Sequence, residues 1–266
     1  SQNVLARFGD AGKVAAECDV TVAVLGINKS IEREGQDRFS LELPVDQQEF
    51  IKELYKVNPN TVVVLVAGSS MAVNWMDENV PAILNAWYPG EQGGNAVAEV
   101  LFGDYNPGGR LPLTYYNSLD EIPAFDNYSV KGRTYQYFEG QPLYEFGYGL
   151  SYTKFRYKSK GVNVEQDTVK VSFEVSNTGK YDGDEVTQVY VKYPETGTYM
   201  PLKQLHGFKR VHIKKGKTSK VTIGVPKKDL RYWDEQERKF VTPKGEYTFM
   251  VGASSEDIKF RETVGL

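Results

Sequence analysis

Between residues 28 and 44 the sequence reads NKSIEREGQDRFSLELP, which crowds Glu32, Arg33, Glu34, Asp37 and Arg38 into one short stretch. A carboxyl group can give or take a proton in a reaction if a loop presents it to the substrate and it stays protonated near neutral pH. Neighbouring carboxylates favour protonation of one another, and a nearby guanidinium opposes it. Spacing leaves that balance open. The plainer reading is a solvated charged loop whose surface ion pairs are worth about 0–1 kcal/mol each.

Other chemistry-bearing residues are weaker candidates. Gly90, Gly93 and Gly94 suggest a phosphate cradle, but the pattern is neither a Walker loop nor GxGxxG and reads as a tight turn before a helix. Gly68-Ser69-Ser70 lacks the GxSxG context of a serine nucleophile. His206 and His212 both fall in a strand-rich region, with no neighbour that marks either as a base. Trp233, in DLRYWDEQ with Asp229 and Asp234, reads as an aromatic anchor at a strand–loop corner, with sugar stacking as the sharper alternative. Cys18 cannot form an internal disulfide, because it is the sole cysteine. It is expected to be a small buried hydrophobe.

These residues need elements to position them. Residues 20–26 (VTVAVLG) and 61–68 (TVVVLVAG) are apolar, β-branched runs, read as buried parallel strands. Residues 82–87 (AILNAW) suggest a third strand, and 110–115 (RLPLTY) a further short one. Residues 46–57 place Phe50, Ile51, Leu54 and Val57 at helical spacing just after Pro44. A second helix over 92–102 is closed by Gly103. Alternating strand and helix predicts an open α/β sheet, in which function collects at the loops beyond the carboxyl ends of the strands. The 28–44 loop follows the first strand.

From residue 155 the period changes to two. Runs at 169–175, 185–191, 220–225 and 246–251 alternate apolar and polar residues between glycine-bearing turns. About seven short strands predict an all-β sandwich like a fibronectin type III domain; the Cys–Trp–Cys pattern of antibody domains is missing. The expected division is an α/β sandwich domain over 1–115, an ordered connecting segment over 116–149, and a fibronectin type III-like domain over 150–266.

Composition agrees with two domains. The chain has 266 residues, 40% of them apolar, which is enough for two cores. A net charge of −3 with interspersed signs gives no reason to expect nucleic acid or an anionic membrane as partner. No run is long and apolar enough to cross a bilayer, and no signal peptide opens the chain. With two histidines and one cysteine, no metal site is expected, and no cofactor motif is present.

Taken together, several motifs resemble one family in order along the chain. Glu32-Arg33-Glu34-Gly35-Gln36-Asp37-Arg38, followed by Leu41-Glu42-Leu43-Pro44, resembles the acid/base loop of family 3 glycoside hydrolases. Residues 87–94 (WYPGEQGG) resemble the family's strand-to-helix turn, and 102–112 (FGDYNPGGRLP) its helix-to-strand turn. Residues 144–153 (YEFGYGLSYT) resemble the junction into its fibronectin-like domain, and Gln204, Leu205, Gly207, Phe208 and Lys209, with 251–255 (VGASS), resemble that domain's signatures.

The resemblance implies a retaining exo-glycosidase acting on β-linked sugars, with two carboxyl groups about 5–5.5 Å apart. In the family the nucleophile is an aspartate on a preceding (β/α)8 barrel, which needs about 250 residues. This chain would therefore be a C-terminal portion, inactive alone, whose partners are that upstream barrel and a β-linked oligosaccharide or aryl glycoside. Glu34 is the first choice for acid/base, because it directly precedes Gly35, and Glu32 is the reserve. Asp37 and Arg38 support the loop. The Glu-x-Glu-x-x-Asp-Arg spacing, with Gly132-Arg133-Thr134-Tyr135, leans toward β-xylosidases over β-glucosidases. A periplasmic or extracellular setting is favoured. The alternative is a non-catalytic carbohydrate-binding or structural module.

Overall fold

The computed structural model describes residues 2–266. The chain forms two compact units. Residues up to 102, with 115–122 and 141–143, make the first; residues 103–114, 123–140 and 144–266 make the second.

The first unit runs α1 (Gln2–Ala16), β1 (Thr21–Gly26), α2 (Val45–Val57), β2 (Thr61–Val66), α3 (Asn74–Asn79), β3 (Ala82–Asn85) and α4 (Gly93–Phe102). The strands pair parallel in the order β1-β2-β3. Ala23, Leu25, Val63 and Leu65 are buried, as are Ile51 and Leu54 of α2. Phe8 of α1 meets Phe50 of α2 with ring centroids 4.8 Å apart. Helix α2 ends at Asn58, whose buried side-chain amide donates to the carbonyls of Ala15 (2.9 Å) and Cys18 (2.8 Å). One asparagine thus ties the end of α2 to the last turn of α1 and the residue just beyond it.

Three expectations need correction here. β1 is buried on one face only: Val22 and Val24 are 46% and 66% exposed. Its burial alternates along the strand, so only the face carrying Ala23 and Leu25 is covered, and its apolar run does not mean burial on both sides. Cys18 is exposed instead of buried, because it lies beyond the end of α1. Residues 110–115 are not a strand. Pro112 cannot donate to a ladder, and Leu111 instead exchanges backbone hydrogen bonds with Tyr148 (2.8 Å) and Gly147 (2.7 Å). Helices α1 and α3 were not expected.

The second unit carries the short helix α5 (Thr134–Tyr137) and then β4 (Phe155–Val164), β5 (Thr168–Asn177), β6 (Gly183–Lys192), β7 (Gln204–Ile213), β8 (Thr218–Pro226), β9 (Tyr232–Asp234), β10 (Lys239–Val241), β11 (Glu246–Gly252) and β12 (Ile258–Gly265). Two antiparallel sheets, β12-β11-β6-β7 and β4-β5-β8, share one core. Inward residues alternate along each strand: Val169, Val171, Phe173 and Val175 on β5 meet Tyr247, Phe249 and Val251 on β11 in that core. Beside these sheets β9 and β10 form a separate hairpin in which Trp233, half exposed, packs edge-on against Phe240 at 5.3 Å. His206 and His212 both lie on the edge strand β7.

A buried polar cluster links residues 103–114 to this sandwich. The Arg110 guanidinium donates to Glu185 at 3.0 Å, and the Tyr157 hydroxyl donates to the same carboxylate at 2.7 Å. Burial pushes the Glu185 carboxyl up, against the pull of Arg110 and Tyr157. Removing one member of such a set strands the other charge in the interior, at a cost of about 3–5 kcal/mol.

Candidate active-site loop

Because β1, β2 and β3 are parallel, their carboxyl ends lie along one edge of the sheet. The 27–44 segment leaves that edge from β1. It is held at both roots. The Gln47 side-chain amide accepts from the Gly26 N–H and donates to the Gly26 carbonyl, both at 2.8 Å, pinning the start of the loop to α2. At the far end the Ala72 N–H donates to Leu41 O at 2.8 Å, and the Gln48 amide donates to Leu43 O at 2.7 Å.

Between these roots the loop folds into a tight turn. Arg33 and Gln36 exchange backbone hydrogen bonds of 3.1 and 2.9 Å, leaving Glu34 and Gly35 at the tip. Gly35 sits at φ +73°, a conformation that a residue with a side chain adopts at a cost of about 1–2 kcal/mol. The glycine after the acid is therefore what lets the turn close. Glu34 is exposed, and Asp37 is exposed beside it.

Glu32 has a different environment. Its Oε2 forms an ion pair with Arg38 Nε and accepts from Ser69 Oγ at 2.7 Å. The Arg38 side chain is only 8% exposed. Its other contacts run to Ser69 Oγ (3.0 Å), Ser70 O (2.7 Å), Leu41 O (3.4 Å) and Met71 Sδ (3.0 Å). The two glutamates thus part company, one clipped into the protein and one carried at the turn tip. Ser69 comes from the loop after β2; its only sequence signal was the Gly68-Ser69-Ser70 run.

A third loop follows β3, where Trp87 holds φ +54°. A bulky residue in that region stores strain of about 1–3 kcal/mol, the kind that gathers at functional sites. A cavity of about 220 Å³ lies beside the far root of the acidic loop, lined by Glu42, Lys52 and Trp75 among others; neither Glu32 nor Glu34 lines it. Among the described residues no cluster of three His, Cys, Asp or Glu side chains could hold a metal. Among the described residues no helix is long and apolar enough to cross a membrane.

The glycosyl hydrolase family 3 C-terminal domain matches residues 5–152, and a fibronectin type III-like domain matches residues 185–255. The chain belongs to glycosyl hydrolase family 3. It is 43% identical, over 84% of its length, to a xylan 1,4-beta-xylosidase of Xylanibacter ruminicola, covering 26% of that protein. It is 38% identical to a beta-glucosidase of Kluyveromyces marxianus, over 94% of this chain and 31% of that one. The crystal structure of the K. marxianus beta-glucosidase in complex with glucose superimposes with a TM-score of 0.90 and 35% identity, over 97% of this chain and 33% of the other. The chain thus spans about a quarter to a third of the length of these relatives.

Proposed function

We propose that this chain supplies the general acid/base of a retaining β-glycosidase, and that Glu34 is that residue. The observation that carries the reading is the contrast in the acidic loop. Glu34 stands exposed at the tip of a glycine-closed turn, while Glu32 is engaged by Arg38 and Ser69. A proton donor must reach the leaving oxygen of a substrate bound elsewhere, and only the tip glutamate is free to do so.

The nucleophile, in this reading, belongs to an upstream barrel in the remaining length that the relatives possess, and the 266-residue chain alone does not turn over substrate. The substrate is a β-xyloside or β-glucoside, with the xylosidase relative at 43% identity supporting the first. The fibronectin-like domain begins near residue 150 in this reading, supported by family matches over 5–152 and 185–255; residues 103–114 and 123–140 group with the sandwich unit.

The test uses the intact enzyme that carries this chain. Loss of an acid catalyst hurts poor leaving groups most, because they need protonation as the bond breaks. Glu34→Ala is expected to lose about 10²–10⁴-fold on a xylo-oligosaccharide and far less on an activated aryl xyloside. The reverse pattern, with Glu32→Ala showing that dependence and Glu34→Ala behaving as wild type, moves the assignment by two residues.

A further inference from the structure

We propose that Ser69 and Arg38, acting through Glu32, form a clip that sets where the Glu34 turn is presented; they are positioning residues for the proton transfer. The proposal rests on the Glu34 reading and adds to it a residue from a different loop.

Glu32 and Arg38 stand on either side of the five-residue tip, 33–37, and their ion pair draws its two ends together. Ser69, in the loop after β2, meets both. Its single O–H donates to Glu32 Oε2 at 2.7 Å, and its oxygen accepts from Arg38 Nη2 at 3.0 Å. A hydroxyl offers one donor and two lone pairs, so Ser69 uses both of its functions here.

Arg38 is equally committed. A guanidinium has five N–H groups. Nε faces Glu32; Nη1 reaches Leu41 O and Met71 Sδ; Nη2 reaches Ser69 Oγ and Ser70 O. Each N–H has a partner, and the group is nearly buried. Lysine, with three donors on one nitrogen, cannot reproduce that fan. The clip therefore ties the acidic loop to the 69–71 segment at a fixed distance, while the roots at Gln47 and Ala72 hold only its ends. With the clip intact, freedom is left to the turn itself. Without it, the span between Ile27 and Leu41 pivots on its roots, and small displacements of a catalytic group are costly.

In the intact enzyme, Ser69→Ala is expected to lower kcat on xylo-oligosaccharide about tenfold, with less than twofold change on an activated aryl xyloside; KM changes little for either. Ser69→Thr, which keeps the hydroxyl, restores the first rate. Arg38→Lys is expected to resemble Ser69→Ala more severely and not to be rescued. Hydrogen exchange on the intact enzyme gives a second readout: Ser69→Ala speeds exchange at the Arg33 and Gln36 amides while the β1 and β2 amides keep their protection. A merely structural role lowers all substrates together and is not repaired selectively, and that result overturns the clip. So does wild-type behaviour of Ser69→Ala. If Glu34→Ala shows leaving-group dependence and Ser69→Ala does not, the clip alone falls. If Glu34→Ala shows none, the acid/base assignment itself falls.

Discussion

Glu32 and Glu34 are identical side chains two positions apart, and what separates them is geometry that their spacing encodes only in part. In the sequence Gly35 counted only as the residue that Glu34 directly precedes; that it lets the turn close is shown by its φ of +73°. The Glu32–Arg38 pair lies six residues apart and was within reach of local reasoning, which gave Arg38 a loop-supporting role. Ser69 was not legible as a partner, because it is 37 positions from Glu32 and meets it only through the parallel pairing of β1 with β2. Titration at a single residue gives a further check. His206 is held by a 2.8 Å contact with the Tyr193 hydroxyl, and burial pushes its imidazole below the ordinary 6.5, with Asp229 opposing. The unfolded chain therefore takes up this proton at higher pH than the folded one. Stability from this site is complete above 6.5 and is lost as pH falls through the depressed folded value. The urea midpoint of the chain is expected to fall between pH 7 and pH 5, and His206→Gln to flatten that fall. An unchanged slope in the variant would assign the effect to other groups.

At the scale of elements, the two periods of the sequence foretold the two kinds of sheet. The apolar runs read over 61–68 and 82–87 hold the shorter strands β2 and β3, and the period-two runs became β5, β6, β8 and β11. Exposure of Val22 and Val24 was not readable, because a β-branched run has the same composition whether one face of the strand is covered or both. Helix α3 escaped because six residues are too few to establish a period. The exit from β1 carries its own requirement. A Cβ on Gly26 would lie 1.8 Å from the carbonyl oxygen of Val66, at the point where Gln47 grips the same peptide. Backbone cannot yield there as a flexible side chain could. Gly26→Ala is expected to destabilise the first unit by about 1–3 kcal/mol, read as a lower melting temperature. A variant that melts with the wild type would show that the strand end adapts, and the loop root would not be rigid.

At the scale of the whole molecule, two folded units account for the chain, yet the chain covers only 26% and 31% of two enzymes it resembles. A glycosidase of the retaining type needs two carboxyl groups in different roles. In the proposed reading Glu34 on the acidic loop is one such group, and the other belongs to the part of the enzyme beyond this chain. Trapping the intermediate puts that division of labour to the test. In the intact enzyme with Glu34→Ala, an activated aryl β-xyloside can still form the covalent intermediate, which then waits for a general base that is gone. Azide needs no such base. Incubation with azide is expected to accelerate turnover and to yield a β-xylosyl azide, the configuration set by two successive displacements at the same carbon, as nuclear magnetic resonance of the product would show. No azide adduct and no acceleration, with Glu32→Ala giving both, would contradict the assignment of Glu34.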